Sequence, residues 1–345
     1  MPDSSASLNS VEQLDDALSQ PSEQSIETLR LVPGDIMVLG ATGKIGPSLT
    51  RMLLRANAAA GVRRRIQAVA RFADPNARAA LDAAGAETIA CDLLDERAVA
   101  ELPESPNVFF LAGMKFGASQ QAALTWAMNT HLPSLIARQF AQSRIVAYST
   151  GTAYGWVDAA TGGAPETASL NPVGEYAMSC LGRERIFEYF SARNRTPIAL
   201  IRLFYACEPR YGVLVDIAEK VWLGDPVDVS MGWFNVIWQG DANALCIQAL
   251  EHVHSPPVPI NITGRETLST RRTAELFGEL LGRTPKFIGQ EQPGACLGNT
   301  DRMQSLFNPT LMPVATLMKW IAEWLRNGGP LLGKPTHFES RDGRY

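Results

Sequence analysis

Asp35-Ile-Met-Val-Leu-Gly40-Ala-Thr42-Gly43-Lys44-Ile45-Gly46 sets the frame for the whole chain. The run before Gly40 is apolar without alternation, as a strand buried on both faces should be. Beyond the turn, Ile45, Leu49, Met52 and Leu53 fall on one face of a helix. Each glycine has a job in such a strand–turn–helix unit. Gly40 permits the tight turn, Gly43 lets backbone N–H groups approach a pyrophosphate, and Gly46 lets the helix pack close to the strand. The helix start adds partial positive charge. The expected contacts of a bound dinucleotide are therefore Gly40, Thr42, Gly43, Lys44, Ile45 and Gly46. An ordinary glycine-rich turn is the competing reading, with Lys44 as a plain lysine at a helix start.

The same alternation continues downstream. Strand candidates are Asp35–Gly40, Ile66–Arg71, Thr88–Cys91, Val108–Ala112, Ile145–Ser149, Ile198–Leu203 and Pro259–Ile262. Helical stretches lie between them, among them Ile45–Ala60, Gln120–Gln139 and Glu175–Ser191. Strands and helices in alternation predict an α/β fold, a doubly wound parallel sheet of Rossmann type. After about residue 205, Pro, Gly and Trp become frequent, and helices are expected at Thr270–Leu281 and Val314–Arg326. This predicts a dinucleotide-binding domain over 34–205, its sheet completed by strand 259–262. A smaller C-terminal α/β substrate lobe covers 206–330. Residues 1–33 read as a polar extension with one or two short helices around Pro21, outside the main fold. Residues 331–345 read as a tail, either a docking strap over a neighbouring surface or a frayed end.

Bulk properties narrow the function. The chain has 345 residues, 46% hydrophobic and 19% charged, enough for a large core. A net charge of -4 gives no basic field for nucleic acid. No apolar run is long enough to span a bilayer. The first residues lack the basic start and apolar middle of a signal peptide. The 5 cysteines show no Cys-x-x-Cys or metal-ligand spacing. The expectation is a reduced cytoplasmic protein without a metal, taking a small-molecule substrate and no nucleic acid or membrane partner.

The second strand candidate ends Ala68-Val-Ala70-Arg71-Phe72, with no carboxylate to take the adenosine ribose hydroxyls. Arg71 suits a 2′-phosphate, because its planar fork matches phosphate oxygens. NADP is thus preferred over NAD, against the alternative of a solvated surface arginine beside Arg63, Arg64 and Arg65.

Tyr176-Ala-Met-Ser-Cys180 resembles the Tyr-x-x-x-Lys catalytic helix of the extended short-chain dehydrogenases, the NAD(P)-dependent epimerase/dehydratase family. Cysteine stands where that family has lysine. The resemblance covers about residues 35–330. Cys91-Asp92-Leu93 matches the Asp-hydrophobic pair that contacts adenine. Phe110-Leu-Ala112-Gly113-Met-Lys115 is similar to the motif after the fourth strand, most of all that of UDP-galactose epimerase. Asn129 matches the asparagine of the next helix. Ser149-Thr150-Gly-Thr-Ala-Tyr154-Gly155 resembles the Ser-Ser/Thr-x-x-Val-Tyr-Gly signature, and Arg202-Leu-Phe-Tyr205 resembles Arg-x-x-Asn with tyrosine at its end.

The resemblance implies hydride transfer at a sugar-like or polyol carbonyl or hydroxyl, by an oxidoreductase or an epimerase/dehydratase-like enzyme. Tyr176 would exchange the proton and Thr150 would orient the substrate oxygen. Ala112, Gly113, Lys115, Ser149, Tyr176 and Tyr205 join Asp92 and Leu93 in the implied cofactor site. The family's lysine lowers the tyrosine pKa, and a phenol unassisted titrates near 10. Cys180 cannot supply that charge; it reads as a small apolar filler, a neutral thiol near the ribose, or a reactive group. Lys115 is the best substitute cation, so the catalytic candidates are Tyr176, Thr150 and Lys115. Arg183 lies about two turns beyond Tyr176, where a structural ion pair suits it better. Trp233, Phe234 and Trp238, with Asn235 and Gln239, suit either a sugar ring or lobe packing. A homodimer through Gln120–Gln139 and Glu175–Ser191 is expected by the same resemblance. The alternative, which the degraded motif also fits, is a protein of another class: a catalytically silent dinucleotide-binding redox sensor or partner-binding subunit.

Overall fold

In the computed structural model, which describes residues 8–343, the opening strand β1 (Ile36–Leu39) is buried along its whole length. Ile36 and Val38 face one apolar core and Met37 and Leu39 another. That two-sided burial is why the strand is uniformly apolar. The neighbouring strands are β2 (Ile66–Ala70), β3 (Glu87–Ala90), β4 (Asn107–Phe110), β5 (Arg144–Thr150), β6 (Ile198–Leu203) and β7 (Val258–Ile262). All seven pair in parallel, in the order β7-β6-β5-β4-β1-β2-β3. The seven expected strands are all present, each within two residues of its expected ends.

The order reverses between β1 and β4, whose registers match Leu39 to Phe110. Chain segments leaving these two strands diverge, and a crevice opens at their carboxyl ends. The glycine turn follows β1, and the loop Leu111–Lys115 follows β4. The helix α3 (Gly46–Ala59) begins directly after the turn and presents Leu49, Met52 and Leu53 to the sheet.

The N-terminal helices correct one expectation. Helices α1 (Val11–Leu18) and α2 (Glu23–Leu31) flank Pro21 as expected. They are capped by Ser10 and Ser22, whose hydroxyls accept the N–H of Gln13 and Ser25. They do not lie outside the main fold. Leu14 and Leu18 are buried in the lobe core, and Leu29 and Val32 in the sheet core. Asp15 bridges Arg51 of α3 at 2.8 Å and Arg210 of the lobe at 3.0 Å. The apolar face of these short helices explains the difference: it needs cover, and the sheet and lobe provide it.

Beyond β6, the helices Val213–Leu223, Thr270–Leu281 and Val314–Arg326 pack around a separate core that includes Phe234, Trp238, Phe277 and Trp320. Phe234 and Trp238 are therefore lobe packing, not a sugar platform. Asn235 donates to the Gly298 carbonyl and Gln239 to Ser48. No helix among the described residues is long and apolar enough to cross a membrane.

Candidate active site

A cleft of about 360 Å³ opens where the sheet order reverses, and it gathers most of the expected residues. Its walls include Gly40, Gly43, Lys44, Ile45, Gly46, Gly113, Lys115, Ser149, Thr150, Tyr176 and Tyr205. Five expected cofactor residues do not line it. Thr42 is exposed on the glycine turn, and Arg71 is exposed beyond the end of β2. Asp92 is exposed, and its carboxylate accepts the Leu94 N–H at 3.1 Å. Leu93 and Ala112 are buried in the core beneath.

The glycine turn is as tight as its sequence demands. A Cβ on Gly40 would stand 2.8 Å from the Ala112 nitrogen, and one on Gly46 2.4 Å from the Ala41 carbonyl oxygen. Gly40 also has φ of +90°, a conformation that favours glycine. Helix α3 starts at the cleft with no side chain capping its first turn. That leaves a helix N-terminus, the usual anion site of this architecture, facing the cleft. The cradle fits a dinucleotide pyrophosphate. Lys44 does not point along the turn but reaches across it. Its ammonium donates to the Ala206 carbonyl at 2.8 Å and sits 4.2 Å from the Tyr211 ring centre. Burial pulls its pKa down to about 8, against the raising influence of Glu208.

Thr150 closes β5 and caps the short turn that follows. Its hydroxyl accepts the Thr152 N–H at 3.2 Å and lies 3.0 Å from the Thr152 hydroxyl. Ser149 is committed on the other side of the strand, donating to Glu184 at 2.5 Å. Glu184 is fully buried and pairs with buried Arg202 at 2.7 Å. Arg202 also donates to Tyr154, which donates to Asn261. This chain of hydrogen bonds fastens the strand end beneath the cleft to the helix Gly174–Asn194. Tyr176 stands in the first turn of that helix, half-buried in the cleft wall.

Cys180 is fully buried one turn further on. Burial raises its pKa, while Arg183, a hydrogen bond from Tyr176 and Lys115 pull it down. The thiol thus lies in the field of two cations and of the buried Glu184 carboxylate, which pushes its pKa up. Lys115 lines the cleft. It feels Asp216, Cys296 and Cys180, and burial lowers its pKa to about 8. Its ammonium is 3.5 Å from the Thr336 carbonyl oxygen.

Arg183 overturns a second expectation. Instead of a structural ion pair it makes hydrogen bonds to neutral groups, and it lines the cleft. Its guanidinium donates to the Tyr148 carbonyl at 2.6 Å and to the Asn129 side chain at 2.8 Å. Helical side chains lean toward the helix start, which carries Arg183 back toward Cys180. That lean was a usable signal in the sequence. Asn129 sits in a π-helical turn, Ala127–His131, and clamps the β4 loop by accepting from Met114 N–H and donating to its carbonyl. Tyr205 lines the cleft and hydrogen-bonds the thiol of Cys296, whose pKa burial pushes up to about 12. Cys296, Tyr211, Lys334 and Thr336 are cleft residues that sequence reasoning missed. Tyr211 falls in Pro209-Arg210-Tyr-Gly, which resembles the family's Pro-Arg-x-Gly without marking the tyrosine itself, and the other three come from segments with no motif.

The arrangement can place a proton donor, Tyr176, and a hydroxyl, Thr150, on one cleft with two amines of lowered pKa. The cations Lys44, Lys115, Arg183 and Lys334 line it, and among the described residues no Asp or Glu does.

Comparisons with known proteins agree with this architecture. No protein of curated function matches the chain in sequence. Among solved structures, UDP-glucuronic acid 4-epimerase from Bacillus cereus, in complex with NAD, superposes with a TM-score of 0.69 at 16% identity, covering 85% of this chain and 96% of that one. UDP-glucose 4-epimerase from Thermotoga maritima, with UDP-glucose, gives 0.69 at 16% identity over 85% and 99%. The UDP-Glc/GlcNAc 4-epimerase from Campylobacter jejuni gives 0.70 at 18% identity over 85% and 99%. At such identities the likeness shows the fold. Residues 36–261 match the family model of the NAD dependent epimerase/dehydratase family, well over half of the chain, and the protein belongs to that family.

Proposed function

We propose that this protein is an NAD(P)-dependent enzyme that oxidises and reduces a hydroxyl-bearing carbon of a sugar nucleotide, in the manner of an epimerase. The observation that carries the reading is the shared cleft: Tyr176, Thr150 and Lys115 line the same crevice as the glycine turn. When bound, the nicotinamide cofactor supplies a reversible hydride acceptor. Gly40, Gly43 and Gly46, with the start of α3, would hold its pyrophosphate. NADP is the favoured form, on the strength of the exposed Arg71 beyond β2 and the lack of a carboxylate there.

Tyr176 gives or takes the proton at the substrate oxygen, and Thr150 orients that oxygen by a hydrogen bond. Lys115 supplies positive charge from the β4 loop, in a site where the family's helix lysine is missing. With a pKa near 8 it remains mostly charged at neutral pH. The wholly cationic set of charged groups in the cleft supports an anionic substrate, as a sugar nucleotide is. Leu124, Trp126, Met178 and Tyr189 are exposed on the two helices expected to pair, which supports a homodimer. A reducing, cytoplasmic setting belongs to the same proposal.

Thermal-shift titration with NADPH and NADH, followed by turnover of a UDP-hexose panel, tests the reading. Stabilisation by NADPH and turnover abolished by Tyr176→Phe are expected. Binding of neither cofactor would overturn it, and so would full activity of Tyr176→Phe.

A further inference from the structure

The segment 331–343 lies beyond the residues matched by the family model, yet it enters the cleft. Lys334 and Thr336 line the wall. Thr336 is 2% exposed and donates twice to one Asp216 oxygen, through its N–H at 2.8 Å and through its hydroxyl. Its carbonyl oxygen faces the Lys115 ammonium. Phe338 is buried edge-on against Phe234, with ring centres 5.8 Å apart. Arg341 donates to the Gly294 carbonyl at 2.6 Å and lies over the Trp156 ring. Gly343 packs backbone to backbone at the start of the Tyr176 helix: a Cβ on Gly174 would stand 2.3 Å from the Gly343 carbonyl oxygen. The tail is therefore a strap across its own chain's cleft. It runs from the Asp216 helix to the Tyr176 helix.

We infer that Asp216 and Thr336 are positioning residues that hold Lys115 in the cleft, an inference that rests on Lys115 being the working cation of the proposed site. A lysine on a loop has a long flexible stem and no fixed place of its own. The Thr336 carbonyl is one partner of its ammonium, and Asp216 fixes the residue that carries that carbonyl. Asp216 also counters the desolvation of Lys115 by its charge. Asp216 raises the pKa of Lys115 and Lys115 lowers that of Asp216, as a coupled pair should. The strap thus supplies through tertiary contact what the Tyr176 helix lost at position 180.

Competitive acetylation of amines in the full chain, read by peptide mass spectrometry across pH 6–11, tests this without any ligand. Lys115 is the single lysine between Leu111 and Gln121, so its peptide reports one amine, and exposed Lys319 serves as internal reference. Asp216→Asn is expected to move the Lys115 midpoint to lower pH, because the countering charge is gone. Thr336→Val is expected to raise Lys115 labelling about fivefold, the scale of one lost hydrogen bond, and Thr336→Ser to restore it. An unchanged Lys115 midpoint in folded Asp216→Asn would overturn the inference. So would equal Lys115 labelling in Thr336→Val and Thr336→Ser. Failure of the wild type to bind NADPH would sink the proposed function and leave the labelling result to decide on the strap.

Discussion

Arg183 lies directly over Gly113: a Cβ at position 113 would stand 2.3 Å from one terminal nitrogen of the guanidinium. That nitrogen also donates to Asn129, which clamps the adjacent Met114 backbone. The β4 loop, the π-helical turn and the Tyr176 helix therefore meet at a point where any Cβ would have to displace the guanidinium.

Gly113→Ala should push the guanidinium off Asn129 and loosen the loop that carries Lys115. Overpacking of this kind costs about 1–3 kcal/mol. Urea denaturation should show a lower midpoint with an unchanged slope.

The Glu184–Arg202 pair should be far more sensitive. Both side chains are buried, at 0% and 4% exposure, so removing one partner strands a charge. Glu184→Gln or Arg202→Leu is expected to cost about 3–5 kcal/mol. The double variant should cost less than the two single losses summed, as a double-mutant cycle would show.

Stability should carry a pH signature of Asp216. Burial raises its pKa from 3.8 to about 6, so between these values the folded state binds more protons than the unfolded. Stability from this group is present below about pH 4 and is lost as pH rises through about 6. Asp216→Asn removes the loss. The stability gap between variant and wild type should shift in the variant's favour from pH 4 to 6 and then level off. Lys44 and Lys115 act at the other end. Their pKa values fall from 10.5 to about 8, so the unfolded state binds more protons between these values. Stability should rise from about pH 8 to 10.5, and less steeply in Lys44→Met.

Arg71→Ala should weaken NADPH binding by roughly 10–100-fold, the effect of losing a charge-assisted hydrogen bond, and leave NADH nearly unchanged. Fluorescence titration with both cofactors measures the ratio. Equal losses for the two would remove Arg71 from the 2′-phosphate.

A lysine at position 180 should not be tolerated in this chain. Cys180 is fully buried, with Arg183 and Lys115 both acting on it. A third cation there would be buried beside two others, and the nearby carboxylate that acts on the site, Glu184, is already paired with Arg202. Cys180→Lys is expected to melt well below wild type, and Cys180→Ala close to it. Paired melting curves decide it; a stable Cys180→Lys would mean that the site tolerates the charge.

Much of this molecule was legible in its residues. Uniform apolar runs such as Ile36–Leu39 suit strands covered on both faces, so the parallel sheet and its crossovers followed. Gly40, Gly43 and Gly46 announced the crevice, because backbone that must approach other backbone excludes a Cβ. Tyr176, Thr150 and Lys115 were identified by family motifs, and the fold brings all three to the cleft. What stayed hidden depends on contacts between segments far apart in the chain. Arg183 looked remote because distance along a helix axis ignores the backward lean of a long side chain. Helices α1 and α2 looked detached because a polar segment hides a narrow apolar stripe, and only the sheet and lobe supply its cover. The strap carries no motif at all. Its place over Lys115 arises from one carboxylate, Asp216, meeting Thr336 at a separation of 120 residues. Local sequence therefore determined the sheet, the turn and the tyrosine helix, since their physics is short-range. Tertiary structure alone decided what surrounds the positive charge in the cleft, such as Thr336 and Asp216 at Lys115, because charge acts through space and is indifferent to order along the chain.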